Sequence, residues 1–195
     1  MGHSDGKDDN VSDDNQTSLL SWSSNSSDSK YQGLSDNLSV TTLDNDTAGI
    51  VLSEASVTVD ERSGSDNFTV HLRSEPTDNV TLTLSDNDST EVSVSPASLS
   101  FGPDNWSEAQ TVVVRGVADS FDDGSQTSTV TVFSDNSTSD GKYLLSALDN
   151  ATLTVVTLDN DTATVTIEDV SVSENATTAT MTLRLSNGVS DNFTV

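Results

Sequence analysis

Residues 57–84 read VTVDERSGSDNFTVHLRSEPTDNVTLTL, and their period decides the fold. Apolar side chains fall at every second position, at Val57 and Val59, at Phe68, Val70 and Leu72, and at Val80, Leu82 and Leu84. Alternation of this kind places one side of an extended chain in a core and the other in water, and no helical spacing competes with it. The pattern continues outward through Val92 and Val94, Leu99 and Phe101, Val112 and Val114, Val130 and Val132, and Leu153 and Val155. Spacers rich in Asp, Asn, Gly and Ser separate these runs, which recur at intervals of roughly 8–14 residues, the pattern of an antiparallel β-sandwich. The expected fold class is therefore all-β, an immunoglobulin-sized sandwich.

Self-similarity organises the rest of the chain. LDNDTA occurs at 43–48 and again at 158–163, a spacing of 115 residues. DDNQTSLLSW (13–22) resembles DDGSQTSTVTVF (122–133), and 57–82 resembles 170–195, with Phe68 falling on Met181 and Leu72 on Leu185. The expected organisation is one complete sandwich over 47–161, preceded by the C-terminal part of another in 1–46 and followed by the N-terminal part of a third in 162–195. The chain stops at NFTV, inside an alternating run. It reads as a slice of a longer array or as a subunit whose end pieces are completed by neighbours.

Composition narrows the function classes. Among 195 residues, 32 Asp and Glu face 7 Lys and Arg, a formal charge of −25. Phosphate polyanions and anionic membranes would be repelled, so no nucleic-acid partner is expected. No apolar run is long enough to insert in a bilayer, and the opening MGHSDGKDDN has no apolar stretch of the signal-peptide kind. The absence of Cys removes disulfides and thiolate chemistry. The depleted Lys would equally suit the acidic surface of a halophile's protein. The two His, His3 and His71, build no Ser/His/Asp arrangement, and paired acids in repetitive loops match a single active site poorly. The chain is expected not to be an enzyme.

With these residues laid out, the sequence resembles a Calx-β-type repeat of extracellular repeat proteins. The matching pieces are VTVDE at 57–61, LTLSDNDSTEVSVSPASLSFGPDNW at 82–106, QTVVVRGVADSFDDGSQT at 110–127 and the closing acidic turn at 158–163. The resemblance implies a sandwich with Ca²⁺ sites at one end, as found in cell-surface stalks, adhesins and ion-transport regulators. The ligand positions it implies are Glu61, with Glu174 in the following unit; Asp86 and Asp88; Asp119, Asp122 and Asp123; and Asp159 and Asp161, with Asp44 and Asp46 in the preceding unit. The pattern departs at Asn160, where the acidic triplet has lost its middle Asp, and at Gln126. Clustered carboxylates suit Ca²⁺, which takes 6–8 hard oxygens; solvated acidic turns are the alternative.

Asparagine carries a separate signal. Fourteen of the fifteen Asn begin N-x-S/T: Asn10, Asn15, Asn25, Asn37, Asn45, Asn67, Asn79, Asn87, Asn105, Asn136, Asn150, Asn160, Asn175 and Asn192. With 60 Ser and Thr in the chain, chance placement would give roughly 4–5 such glycosylation acceptors. Twelve of the fifteen Asn follow an Asp. Turn chemistry explains the Asp-Asn pair but not the hydroxyl residue two places on. Dense N-linked glycans are expected, on an extracellular or cell-surface protein. Asn45 and Asn160 belong to this signal and to the acidic triplets alike, and a glycosylated Asn160 would point outward while Asp159 and Asp161 coordinate.

The leading expectation is thus a glycosylated stalk or filament repeat with calcium-stiffened loops. Its partners would be copies of itself or neighbouring repeats, joined through strand exchange between the partial end modules. The alternatives are a calcium-dependent adhesion or regulatory module facing a surface glycan or protein receptor, and a carbohydrate-binding module using Trp106 or Trp22.

Overall fold

The computed structural model describes residues 6–62, 64–135, 137–144 and 146–187. Asn136 and Asn192 lie outside them. The described residues form thirteen strands and no helix, and no helix is long and apolar enough to cross a membrane.

Nine strands build a central sandwich. One sheet holds β4 (Ser56–Asp60), β11 (Ala151–Leu158), β10 (Gln126–Ser134), β6 (Val80–Asp86) and β8 (Ser98–Phe101), in that order. The other holds β3 (Ile50–Leu52), β5 (Ser65–Leu72), β9 (Gln110–Gly116) and β7 (Val92–Ser95). The alternation sets what faces inward: Phe68, Val70 and Leu72 from β5 meet Val80, Leu82 and Leu84 from β6, with Val112, Val114, Val130, Val132, Leu153 and Val155 in the same core. Burying such side chains stabilises by about 1.5–3 kcal/mol each relative to exposure. The strands pair antiparallel except for one parallel contact, in which β4 runs along β11 with Val57 opposite Val155 and Val59 opposite Thr157. The step from β3 to β4 carries the chain from an edge of one sheet to an edge of the other.

The core is closed at one end by Tyr143, which sequence alternation does not flag. Its ring is buried; its hydroxyl donates to the Ser74 carbonyl at 2.7 Å and accepts from the Ser74 amide at 3.1 Å. Beside it, Asp140 accepts from the amide and hydroxyl of Thr77 and from the Lys142 amide, at 2.6–2.8 Å. Burial would raise the Asp140 carboxyl, and these hydrogen bonds outweigh it and hold the group below its ordinary value.

Two hairpins flank the sandwich. β1 (Gln16–Ser23) pairs with β2 (Ser35–Thr42), and β12 (Val165–Ile167) pairs with β13 (Leu183–Leu185). Gln16 lies opposite Thr42 as Gln126 lies opposite Thr157. Val165 lies opposite Leu185 as Ile50 lies opposite Leu72. Each hairpin therefore repeats, in register, one strand pair of the sandwich.

Candidate metal centre

The acidic residues gather at the end of the sandwich opposite Tyr143, where β4, β9 and β11 finish and β7 and β10 begin. Gly116 at the end of β9 makes that meeting possible. A Cβ there would lie 2.5 Å from the Asp60 carbonyl oxygen and 3.0 Å from the Glu61 Cα, so the turn leaving β4 can cross β9 only over a residue without a side chain. The crossing places Glu61 inside, with only 2 % of its surface exposed.

Two groups of carboxylates result, each with oxygens within 4.8 Å of one another: Glu61 with Asp159 and Asp161, and Glu91 with Asp119 and Asp123. The loops holding them are built by the acids themselves. Asp159 accepts from the Gly124 and Asp161 amides, both at 2.7 Å, and Asp119 accepts from the Phe121 amide at 2.7 Å. Gly124 takes a left-handed φ of 73° there, as the tight bend into β10 requires.

The electrostatics are unfavourable without a cation. Burial pushes the Glu61 carboxyl up, and Asp119 and Asp159 push it further, against a hydrogen bond from Asn160. Burial likewise raises Glu91, helped by Asp123, Glu61 and Asp119. Like charges held this close disfavour ionisation, whereas a bound divalent ion reverses the effect. A polar atom with nothing to bond supplies the fit test. Glu91 is 5 % exposed, and its Oε2 has no hydrogen-bond partner among the described residues. A buried oxygen left unpaired costs on the order of 1–3 kcal/mol, and a hard cation among Glu91, Asp119 and Asp123 would satisfy it. These residues fit Ca²⁺, which would be held by carboxylate oxygens from both groups and would neutralise them.

Of the positions expected from sequence, Glu61, Asp119, Asp123, Asp159 and Asp161 fall in these groups, and Asp86, Asp88 and Asp122 fall outside them. Asp88 instead accepts from the Thr90 hydroxyl, and Asp122 from the Ala163 amide. Asp44 and Asp46 sit in the loop after β2, where Asp44 accepts from the Asp14 and Asp46 amides, and Glu174 is exposed in the segment between β12 and β13. Glu91 was not foreseen. It precedes Val92 in the alternation, which reads as solvent-facing, and only the packing of β7 beside β9 and below β11 buries it; the Thr157 hydroxyl reaches its carbonyl at 3.4 Å.

Twelve acceptor asparagines are described: Asn105 and Asn160 are half-buried and the other ten exposed. In β5, Asn67 faces solvent while Phe68 and Val70 are buried. Asn160 turns its amide nitrogen toward Glu61 Oε2, at 3.4 Å, rather than outward, and its carbonyl oxygen accepts from Arg62 at 2.9 Å. Trp106 packs half-buried against the core, and Trp22 is exposed on β1.

No family model and no curated protein matches the sequence. Among solved structures, the chain is similar to the apo form of the Calx CBD1 domain, at 17% identity and a TM-score of 0.43 over 60% of this chain and 100% of that one. It is also similar to the S-layer protein rSbsC, at 15% identity and 0.45 over 88% and 25%. A third is the E. coli chaperone DraB, at 8% identity and 0.42 over 58% and 57%. The chain thus spans little more than half of DraB's length and a quarter of rSbsC's.

Proposed function

We propose that this protein is an extracellular structural repeat, N-glycosylated along its exposed turns and stiffened by Ca²⁺ at the acidic end of each sandwich, that assembles into a stalk or filament. Its repeat units would be 47–161 with partial units in 1–46 and 162–195. The carrying observation is the copied register: β1–β2 reproduces β10–β11, and β12–β13 reproduces β3–β5. A module that recurs with the same pairing suits assembly in a line. Calcium's part is mechanical. By neutralising Glu61, Glu91 and the loop aspartates, it would fix the loops from which the chain leaves the sandwich toward 162–187. Exposed acceptor asparagines at ten of the twelve described sites support a sugar-coated surface.

Electron microscopy of protein purified from its own source tests the assembly, with glycopeptide mass mapping of the same material. Filaments or rods bearing hexose at most acceptor asparagines are expected. Separate monomers at high concentration with bare asparagines would overturn the reading.

A further inference from the structure

A polar side chain can be buried in a sandwich when it finds a partner there. At the Tyr143 end each buried hydroxyl does. Ser74 pairs with the Tyr143 hydroxyl at 2.9 Å, Ser134 donates to the Thr138 hydroxyl at 3.0 Å, and Thr138 donates to the Thr81 carbonyl at 3.1 Å. Two buried side-chain oxygens have no partner among the described residues, Glu91 Oε2 and Ser128 Oγ.

Both lie at the acidic end. Ser128 is 1 % exposed and opens the inward row of β10 that continues through Val130 and Val132. In its sheet β10 runs between β6 and β11, and the turn that carries Glu91 is tied to both sides of it. On the β6 side, the Thr129 amide donates to Asn87 Oδ1 at 2.6 Å and the Asn87 amide returns a bond to the Thr129 carbonyl at 3.1 Å. The Glu91 amide donates to the carbonyl of the next residue, Asp88, at 3.3 Å. On the β11 side, the Thr157 hydroxyl reaches the Glu91 carbonyl at 3.4 Å. Glu91 therefore crosses over the start of β10, and Ser128 sits beneath the crossing.

An apolar residue would continue the row of Val130 and Val132 with nothing left unpaired, so the hydroxyl weakens the core unless something meets it. We propose that Ser128 is a calcium ligand: its Oγ binds the inner side of the ion held by Glu91, Asp119 and Asp123, with Glu91 Oε2 beside it. This rests on the calcium reading above and adds an inward-facing ligand to that centre. Calcium takes 6–8 oxygens, and Asp119 already lends one oxygen to the Phe121 amide. A hydroxyl suits the inner position because it ligates through a lone pair and adds no charge to the repulsion among the buried and loop carboxylates.

The test compares the full chain as the parent, as Ser128→Ala and as Ser134→Ala, each melted in chelator and in calcium. Losing an unpartnered hydroxyl should leave Ser128→Ala melting no lower than the parent in chelator. Its calcium affinity should be several-fold weaker, and its gain in Tm smaller to match. Ser134→Ala takes a partner from Thr138 at the other end of the strand, so it should melt lower in both conditions and keep the parent's gain. Terbium, a luminescent ion close to calcium in size, then reports the coordination directly, since its decay rates in light and heavy water count the waters bound to it. A lost protein ligand is replaced by water, and Ser128→Ala should hold one more than the parent. Equal affinity and equal hydration would overturn the ligand and leave calcium binding standing. Weaker affinity with unchanged hydration would also overturn direct ligation. A parent that gains no stability from calcium and binds no terbium would overturn both.

Discussion

At the scale of single residues, the acidic end depends on a few positions. Gly116→Ala would drive a Cβ into the Asp60 carbonyl and displace Glu61, so we expect loss of calcium-induced stabilisation even where the core still folds; thermal melts with calcium and with chelator read this directly. Glu91→Gln removes a buried charge that repels Asp119, Asp123 and Glu61. In chelator this variant is expected to melt no lower than the parent, while its gain in Tm on adding calcium falls, because stabilisation by a ligand follows its affinity for the folded state. At the opposite end, Tyr143→Phe strands the buried Ser74 amide and carbonyl, with an expected cost of about 1–3 kcal/mol in denaturant unfolding.

At the scale of elements, the loop from β10 to β11 gives the sandwich a contribution to stability that acid removes. The folded-state pKa of Asp140 lies below its ordinary value of 3.8, so the native state binds fewer protons than the unfolded chain as that range is entered. Its stabilisation is complete above the unfolded value and is lost as pH falls through the folded one. Protonation of Glu61 and Glu91, raised by burial, acts in the opposite sense, so the test is the difference. Urea midpoints followed downward from about pH 5 should lose more, or gain less, in the parent than in Asp140→Asn, and the variant should be less stable at neutral pH. The elements themselves were mostly legible beforehand. Strands with a buried side, such as Ser65–Leu72 and Val80–Asp86, announce themselves because period-two burial writes itself into every second residue. The parallel contact of β4 with β11 was not legible, since alternation says which side chains go inward and nothing about which strand is the neighbour or in which direction it runs.

At the scale of the whole molecule, a chain of charge −25 with acidic loops gathered at one end of its sandwich should, on the function proposed, respond to calcium in shape as well as in stability. Small-angle scattering is expected to show a stiffer, more extended particle with calcium than with chelator, and unchanged profiles would count against a stiffening role. Monovalent salt should narrow the difference only in part, since screening weakens repulsion between exposed charges far more than between buried ones such as Glu61 and Glu91.

The sequence alone determined the all-β class, the repeat and the acceptor asparagines, for each is a local pattern: alternation, self-similarity and a three-residue motif need no knowledge of what lies across the core. The resemblance of its motifs to a known repeat family also singled out Glu61, Asp119, Asp123, Asp159 and Asp161, together with Asp86, Asp88 and Asp122. Only the tertiary structure decided that Glu91 joins them and that Asp86, Asp88 and Asp122 stand apart. Proximity between residues separated by tens of positions is settled by how two sheets pack, and the same packing withdraws Glu91 Oε2 from water and leaves it without a partner among the described residues.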